Sequence, residues 1–215
     1  MTYGRIALNK GVLSDVSTKD RIITDYSRIA DIVTHCKGLG IKIVMTQGTF
    51  DMVHIGHGRY LDEAKRRGDL LIVGVDNDEK VRSRKGVDRP VVPENERLEM
   101  LTYIRPVDLV FCKKKEDPKW KLIKTVRPDV LIVIGENYTT AQRKELKKYC
   151  GEVKVLKRQA TTSTSAKLRF LQMGVAQKLG RVLTPKLIGA IEEALVEVKE
   201  GAPKSTKKSS KKKKR

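Results

Sequence analysis

No apolar run in the 215-residue chain is long enough to cross a bilayer. Residues 1–10 lack the extended apolar segment of a secretory signal. Cysteine is scarce. Cys36, Cys112 and Cys150 form an odd set with no metal-ligand spacing, which reads as buried reduced thiols in a cytoplasmic protein. No glycine pattern fits the dinucleotide fingerprint, because seven residues separate Gly48 from Gly56, and no phosphate-binding loop ends in glycine-lysine-serine. These absences argue against a dehydrogenase and an ordinary ATPase. The chain has no internal repeat.

Acid is missing altogether from one region. Residues 204–215 hold eight basic and no acidic side chains, so of the formal charge of +20 the remainder carries +12. The tail repels itself and is predicted to be disordered, with weak contact to RNA, DNA or anionic lipid as its functional reading. The body is basic too, which favours a polyanionic partner: nucleotide, phosphorylated substrate or nucleic acid. Hydrophobic residues make up 39% of the chain, enough for a core.

Helical spacing runs from Ile22 through Ile29 to Val33 and stops before Gly38. Strands are expected at 41–45, 70–75, 107–111, 130–134 and 153–156. Helices are expected at 59–67, 93–104, 120–126 and 140–149, with a polar loop over 76–89. The alternation predicts an α/β fold: a Rossmann-like parallel sheet of about five strands with helices on both faces. Two further helices, 165–179 and 185–199, close the fold. The second carries Leu187, Ile188, Ile191, Leu195 and Val198 on one face, for packing on the body or a dimer mate. The expected organisation is an N-terminal extension with a helix (1–40), a catalytic domain (41–170), C-terminal helices (171–199) and the tail (200–215).

Ligands of such sheets bind beyond the C-terminal strand ends, and there the chain is chemically unusual. Gly48-Thr49-Phe50-Asp51-Met52-Val53-His54-Ile55-Gly56-His57 joins a strand to a helix and holds two of the three histidines. A phosphate at that helix start meets free N–H groups and the positive end of the dipole. Gly56 allows close approach, and His54 and His57 can donate to phosphoryl oxygens as charge builds. A second cluster, Thr161 to Ser165 after Arg158, reads both as a helix cap and as a phosphate cradle. Lys85, beside Gly86 in a loop with Arg82, Arg84 and Arg89, is the favoured point charge for a triphosphate or phosphorylated substrate. Arg97 is expected to reach the same anion or to pair with Glu94 or Asp62.

The run Gly48 to His57, followed by Tyr60-Leu61, resembles the hallmark of the cytidylyltransferase-like nucleotidyltransferase superfamily. Arg158 with Ser163-Thr164-Ser165 matches its second motif, with Thr162 in place of the usual isoleucine. The likeness spans about 42–170. Within the superfamily the chain most resembles the domain that activates heptose phosphate, through Asp78, Arg84-Lys85-Gly86, Arg89-Pro90-Val91, Glu96-Arg97 and Gly135-Glu136-Asn137-Tyr138. Glu136 and Asn137 depart from its pattern. The residues before Lys42 are too few for the sugar-kinase domain fused to it elsewhere. Glycerol-3-phosphate cytidylyltransferases and archaeal-type FAD synthetases are more distant likenesses.

The resemblance implies transfer of CMP or AMP from CTP or ATP to a small phosphorylated sugar or alcohol, with release of pyrophosphate. It implies catalytic roles for His54, His57 and Lys85. It implies nucleotide contacts from Thr49, Phe50, Gly56, Asp78, Arg97, Gly135, Tyr138, Arg158, Ser163, Thr164 and Ser165. Mg2+ would accompany the triphosphate, with Asp51 touching metal or organising the loop. A homodimer is the expected assembly. Glycerol-3-phosphate or ethanolamine-phosphate cytidylyl transfer, an FAD synthetase-like adenylyl transfer, and a nucleic-acid-binding protein that reuses the fold are the alternatives. If the tail supplies polyanion contact, deleting residues 204–215 abolishes salt-sensitive RNA or DNA binding in a filter assay.

Overall fold

Four apolar stretches dictate the centre of the sheet: β2 (Ile43–Gly48), β3 (Leu70–Asp76), β4 (Leu109–Lys113) and β5 (Val130–Ile134). Each is buried over most of its length, as strands covered on both faces must be. The computed structural model describes residues 17–157, 159–160 and 164–200. Two edge strands, β1 (Ile22–Ile23) and β6 (Glu152–Leu156), complete a six-stranded sheet in the order β1-β4-β3-β2-β5-β6, every pair parallel. The edges are blunted, β1 by its length of two residues and β6 by its charged side chains.

One face carries α2 (Ile55–Lys65) and α4 (Glu94–Thr102), whose Tyr60, Leu61, Ala64, Leu98 and Leu101 pack on Val44, Val73 and Val110. The other carries α1 (Tyr26–Gly38), α5 (Lys121–Val126) and α6 (Thr140–Leu146) around Met45, Ile72, Phe111 and Leu131. The chain lays β2, β3 and β4 outward in one direction, then crosses back to place β5 on the far side of β2. That reversal opens a crevice at the C-terminal ends of the strands.

Several sequence expectations are corrected. The helix read from Ile22 starts at Tyr26, because the Asp25 side chain accepts from Ser27 N and caps it there; Ile22 and Ile23 instead pair with Val110 and Phe111. Residues read as a polar loop form α3 (Asp78–Lys85). The Asn77 side chain caps it, acids occupy its first turn and bases its last, which suits the helix dipole. Only Val81 is buried in it, so no apolar period revealed it. The two C-terminal helices are one, α7 (Thr164–Glu200), which runs through Pro185. Residues 1–16, the lysine-rich tail and the hydroxyl-rich residues 161–163 lie outside the described residues.

The chain divides into two units, residues 1–164 and 165–215. In the first, Leu61 of α2 has no exposed surface and holds the helix that carries the histidines against the sheet. Leu61→Ala should lower the unfolding free energy in urea by about 2–5 kcal/mol.

Candidate active site

The segment after β2 turns sharply, with Phe50 at φ 51° and Met52 at φ 50°, a left-handed backbone that costs non-glycine residues roughly 1–3 kcal/mol each. Buried charges hold it there. Asp51, 3% exposed, accepts from Arg89 Nε at 2.8 Å and from the N–H groups of Val91 and Val92 at 3.1 and 3.0 Å, and Arg89 Nη2 lies 2.7 Å away. Burial raises the Asp51 pKa, but these donors outweigh it and hold the carboxyl below its usual range. Arg97, 1% exposed, donates to the carbonyls of Thr49 (2.6 Å) and Val92 (2.9 Å) and pairs with Asp78 Oδ1 (2.7 Å). One guanidinium on α4 thus ties together the β2 loop, the 89–92 segment and the start of α3.

The histidines sit where that loop enters α2. His54 is the N-cap, and its Nδ1 accepts from Gly56 N at 3.1 Å. His57 Nδ1 accepts in turn from His54 N at 3.3 Å, which completes a capping box built from two imidazoles. A backbone N–H can only donate, so both Nδ1 atoms are unprotonated and each neutral ring carries its proton on Nε2. The ring centroids stand 4.1 Å apart, and Phe50 tilts against His57 at 5.5 Å. The sequence pattern Gly-His reflects crowding here. A Cβ on Gly56 would lie 2.8 Å from His54 Cε1 and 2.9 Å from Ala160 Cβ. Ala160 therefore brings the segment that precedes the hydroxyl cluster against the first turn of α2.

The site is cationic. The His57 pKa is pushed down to about 4 by burial first, then by the repulsion its imidazolium would meet from a protonated His54 and from Lys85, with Asp51 opposing. Lys85, the last residue of α3, is exposed by surface area. Loss of solvation first, then Arg89 and Arg84, lower its pKa. Its charge acts on His57, and that of Asp51 acts on it.

Beyond the loop, the strand ends line a cleft of about 250 Å³. Its lining includes Gln47 of β2, Asp76 of β3 and Lys113 of β4, with Lys80 and Arg84 from α3 and Trp120 and Tyr138 from the loops after β4 and β5. Asp76, 2% exposed, pairs with Arg84 Nη2 at 2.7 Å. Lys113 Nζ lies 2.8 Å from the other oxygen, an ion pair without hydrogen-bond alignment. Burial pushes the Lys113 pKa down while Asp76 pulls it up. Gln47 Nε2 donates to Tyr138 OH at 2.6 Å across the crevice.

The structure places Thr49, Phe50, His54, Gly56 and His57 on one loop and helix entrance and Lys85 at the end of α3. Gly135 and Tyr138 stand at the end of β5, where Val155 Cγ1 would lie 3.3 Å from a Cβ on Gly135. It corrects two readings. Arg97 and Asp78 are turned to each other behind the loop, so they brace it rather than reach an anion. Asp51 has four donors around its carboxylate, which fits the loop-organising role and not direct ligation of Mg2+. Among the described residues, no group of three or more His, Cys, Asp or Glu could hold a metal ion. Arg158 and Ser163 lie outside the described residues. Thr164 and Ser165 begin α7, and their side chains are likewise outside the description. Asp76, Lys113 and Gln47 escaped the sequence reading. Their signal was a polar residue at the C-terminal end of an apolar parallel strand.

A family model described as cytidylyltransferase-like matches residues 45–210. The bifunctional protein HldE of Pseudomonas aeruginosa is 42% identical over 150 residues, covering 68% of this chain and 31% of that protein. The bifunctional protein HldE of a Nitratiruptor species is 40% identical over 117 residues, covering 54% of this chain and 25% of that protein. The chain thus spans about a quarter to a third of the length of these curated relatives. Among solved structures, a lipopolysaccharide core biosynthesis protein from Thermoplasma volcanium is 28% identical, with a TM-score of 0.49 over 57% of this chain and 99% of that one. Pantoate-beta-alanine ligase from Francisella tularensis, 16% identical with a TM-score of 0.52 over 76% of this chain and 78% of that one, shares the fold alone.

The unfolded chain protonates His57 near 6.5 and the folded chain near 4. Stability from the neutral ring is therefore complete above pH 6.5 and is lost as pH falls through 4. Imidazole nitrogen NMR of the ligand-free chain should show a His57 midpoint near 4 and an Nε2–H tautomer for both rings. Adding polyphosphate should raise that midpoint.

Proposed function

This chain belongs to the cytidylyltransferase-like family of nucleotidyltransferases, and on that premise we propose that it transfers CMP or AMP from CTP or ATP to a small phosphorylated sugar. The observation that carries the proposal is the paired Nε2–H imidazoles at the start of α2, backed by a helix N-terminus, with the charge of Lys85 acting on His57. Two neutral donors at a helix entrance and one cation acting on His57 suit an anion whose charge grows during reaction and is not lost to a base.

In this reading an acceptor phosphate oxygen attacks the α-phosphorus of the triphosphate. A new P–O bond forms, the bond from the α-phosphorus to the bridging oxygen breaks, and pyrophosphate leaves with that electron pair. His54 and His57 donate from Nε2 to oxygens on the reacting phosphorus, and Lys85 holds charge on the departing phosphates or the acceptor. Mg2+, when bound with the triphosphate, neutralises part of its charge; no described side chain is assigned to it. Gly56 lets the backbone approach. Arg97, Asp78 and Asp51 act as positioning residues.

The acceptor fits the cleft beyond the loop. Lys80, Arg84 and Lys113 suit its phosphate, whereas Asp76, Gln47 and Tyr138 offer partners for hydroxyls. That mixture of charge and hydrogen-bonding groups favours a phosphorylated polyol over an apolar acceptor. The likeness to HldE proteins favours a heptose-phosphate-like sugar within that class. Pyrophosphate release should be screened with CTP and ATP against heptose, glycerol, ethanolamine and flavin phosphates. With the productive pair, His57→Ala should lower kcat about a hundredfold or more while the circular dichroism spectrum persists. Unchanged turnover overturns the assigned role.

A further inference from the structure

Part of the cleft wall comes from outside the family-matched residues 45–210. Tyr26, the first residue of α1, lines the cleft together with Asp117, Pro118 and Trp120 from the loop after β4. The segment that carries Tyr26 is well anchored. Ile23 and Ile29 are buried in the core, and Arg21 donates to the carbonyls of Asp108 and Thr102 at 3.0 and 2.7 Å. The loop of residues 114–120 folds back on Asp117, whose Oδ2 accepts from Lys114 N at 2.8 Å. It ends on Trp120 at φ 62°, a left-handed backbone that bulky residues seldom adopt. The Tyr26 hydroxyl donates to the same Asp117 Oδ2 at 2.7 Å. Its ring is fixed in turn, tilted against Phe111 of β4 at 4.7 Å and with Lys121 Nζ 3.9 Å from its centroid. Burial, then the hydrogen bond to Asp117 and its charge, push the Tyr26 pKa up, so the phenol keeps the proton it donates. Asp117 is thus the joint between α1 and the loop.

We propose that Tyr26 is a positioning residue for the acceptor: through Asp117 it holds the 114–120 loop, with Trp120, as a wall against which the phosphorylated polyol binds. This role rests on the reading of the cleft as the acceptor site. The wall suits such a ligand. Pro118 and Trp120 offer apolar surface to its carbon skeleton, and the lysines of the cleft suit its phosphate. A loop untied from α1 would have to be ordered each time the acceptor binds. That cost falls on acceptor affinity and not on the chemical step, because the loop is ordered alike in the bound complex and in the transition state. The N-terminal segment is then more than an edge of the sheet. It carries a determinant of acceptor binding that the family-matched residues do not contain.

Trp120 is the single tryptophan of the chain, so its fluorescence reads this wall directly. Tyr26→Phe keeps the ring and removes only the donor. In the ligand-free full chain it should leave Trp120 more open to acrylamide quenching. Heptose phosphate or glycerol 3-phosphate should change Trp120 fluorescence in the wild type, and Tyr26→Phe should weaken that binding about tenfold. In turnover the same variant should raise KM for the acceptor about tenfold, while kcat and KM for the nucleotide stay within about twofold. In an Asp117→Ala background, Tyr26→Phe should shift acceptor KM no further, since the two act through one bond. Unchanged acceptor binding in Tyr26→Phe, a nucleotide KM that rises instead, an effect that survives without Asp117, or a wild-type cleft that binds neither phosphate overturns the proposal. If Tyr26→Phe weakens binding as expected but no nucleotidyl transfer is found with any acceptor, the transfer reading fails and the positioning role stands. Turnover that is indifferent to Tyr26→Phe removes the positioning role alone.

Discussion

Asp51 and Arg97 are charged residues with almost no contact with water, and each is anchored from a different part of the chain. Asp51 gathers Arg89, Val91 and Val92; Arg97 gathers Thr49, Val92 and Asp78. Val92 is common to both. Removing one partner of such a buried pair leaves the other charge stranded, at a cost of about 3–5 kcal/mol. That is comparable with the backbone strain at Phe50 and Met52. The crossed braces are what keep a left-handed turn between a strand and a helix, and the imidazoles stand on that turn.

The chemistry of the loop follows from this rigidity. Because the turn is fixed, His54 N and Gly56 N point at ring nitrogens rather than at solvent. The backbone thereby decides which nitrogen of each ring carries its proton. Crowding by Ala160 and by the His54 ring leaves no room for a side chain at position 56. The glycine of the signature is as much a packing requirement of the loop as a concession to a ligand.

The fold was legible wherever burial writes itself as an unbroken apolar run, and β3 and β5 were found to within a residue. It was illegible where local hydrogen bonds decide. Asp25 sets the start of α1, and Asn77 starts a helix that buries a single side chain, so neither leaves a hydrophobic period. His54, Gly56 and His57 were recognisable as one cluster because a strand, a turn and a helix entrance bring near sequence neighbours together. Arg97 was misread because its partner, Asp78, lies 19 positions away and only the folded chain brings them within reach. Asp76 and Lys113 were hidden for the same reason, since strand pairing alone sets them opposite each other.

Asp76 has a consequence of its own. Its carboxylate engages both Arg84 and Lys113, so those cations are not idle bait for any passing anion. An incoming phosphate must compete with a resident carboxylate for them and is repelled by it at close range. Stray inorganic phosphate brings nothing to offset that rivalry. A guest with several hydroxyl groups does, because it can donate to the carboxylate it displaces. On the proposed reading, the resident acid acts as a threshold that disfavours small anions against a ligand able to satisfy both signs of charge together.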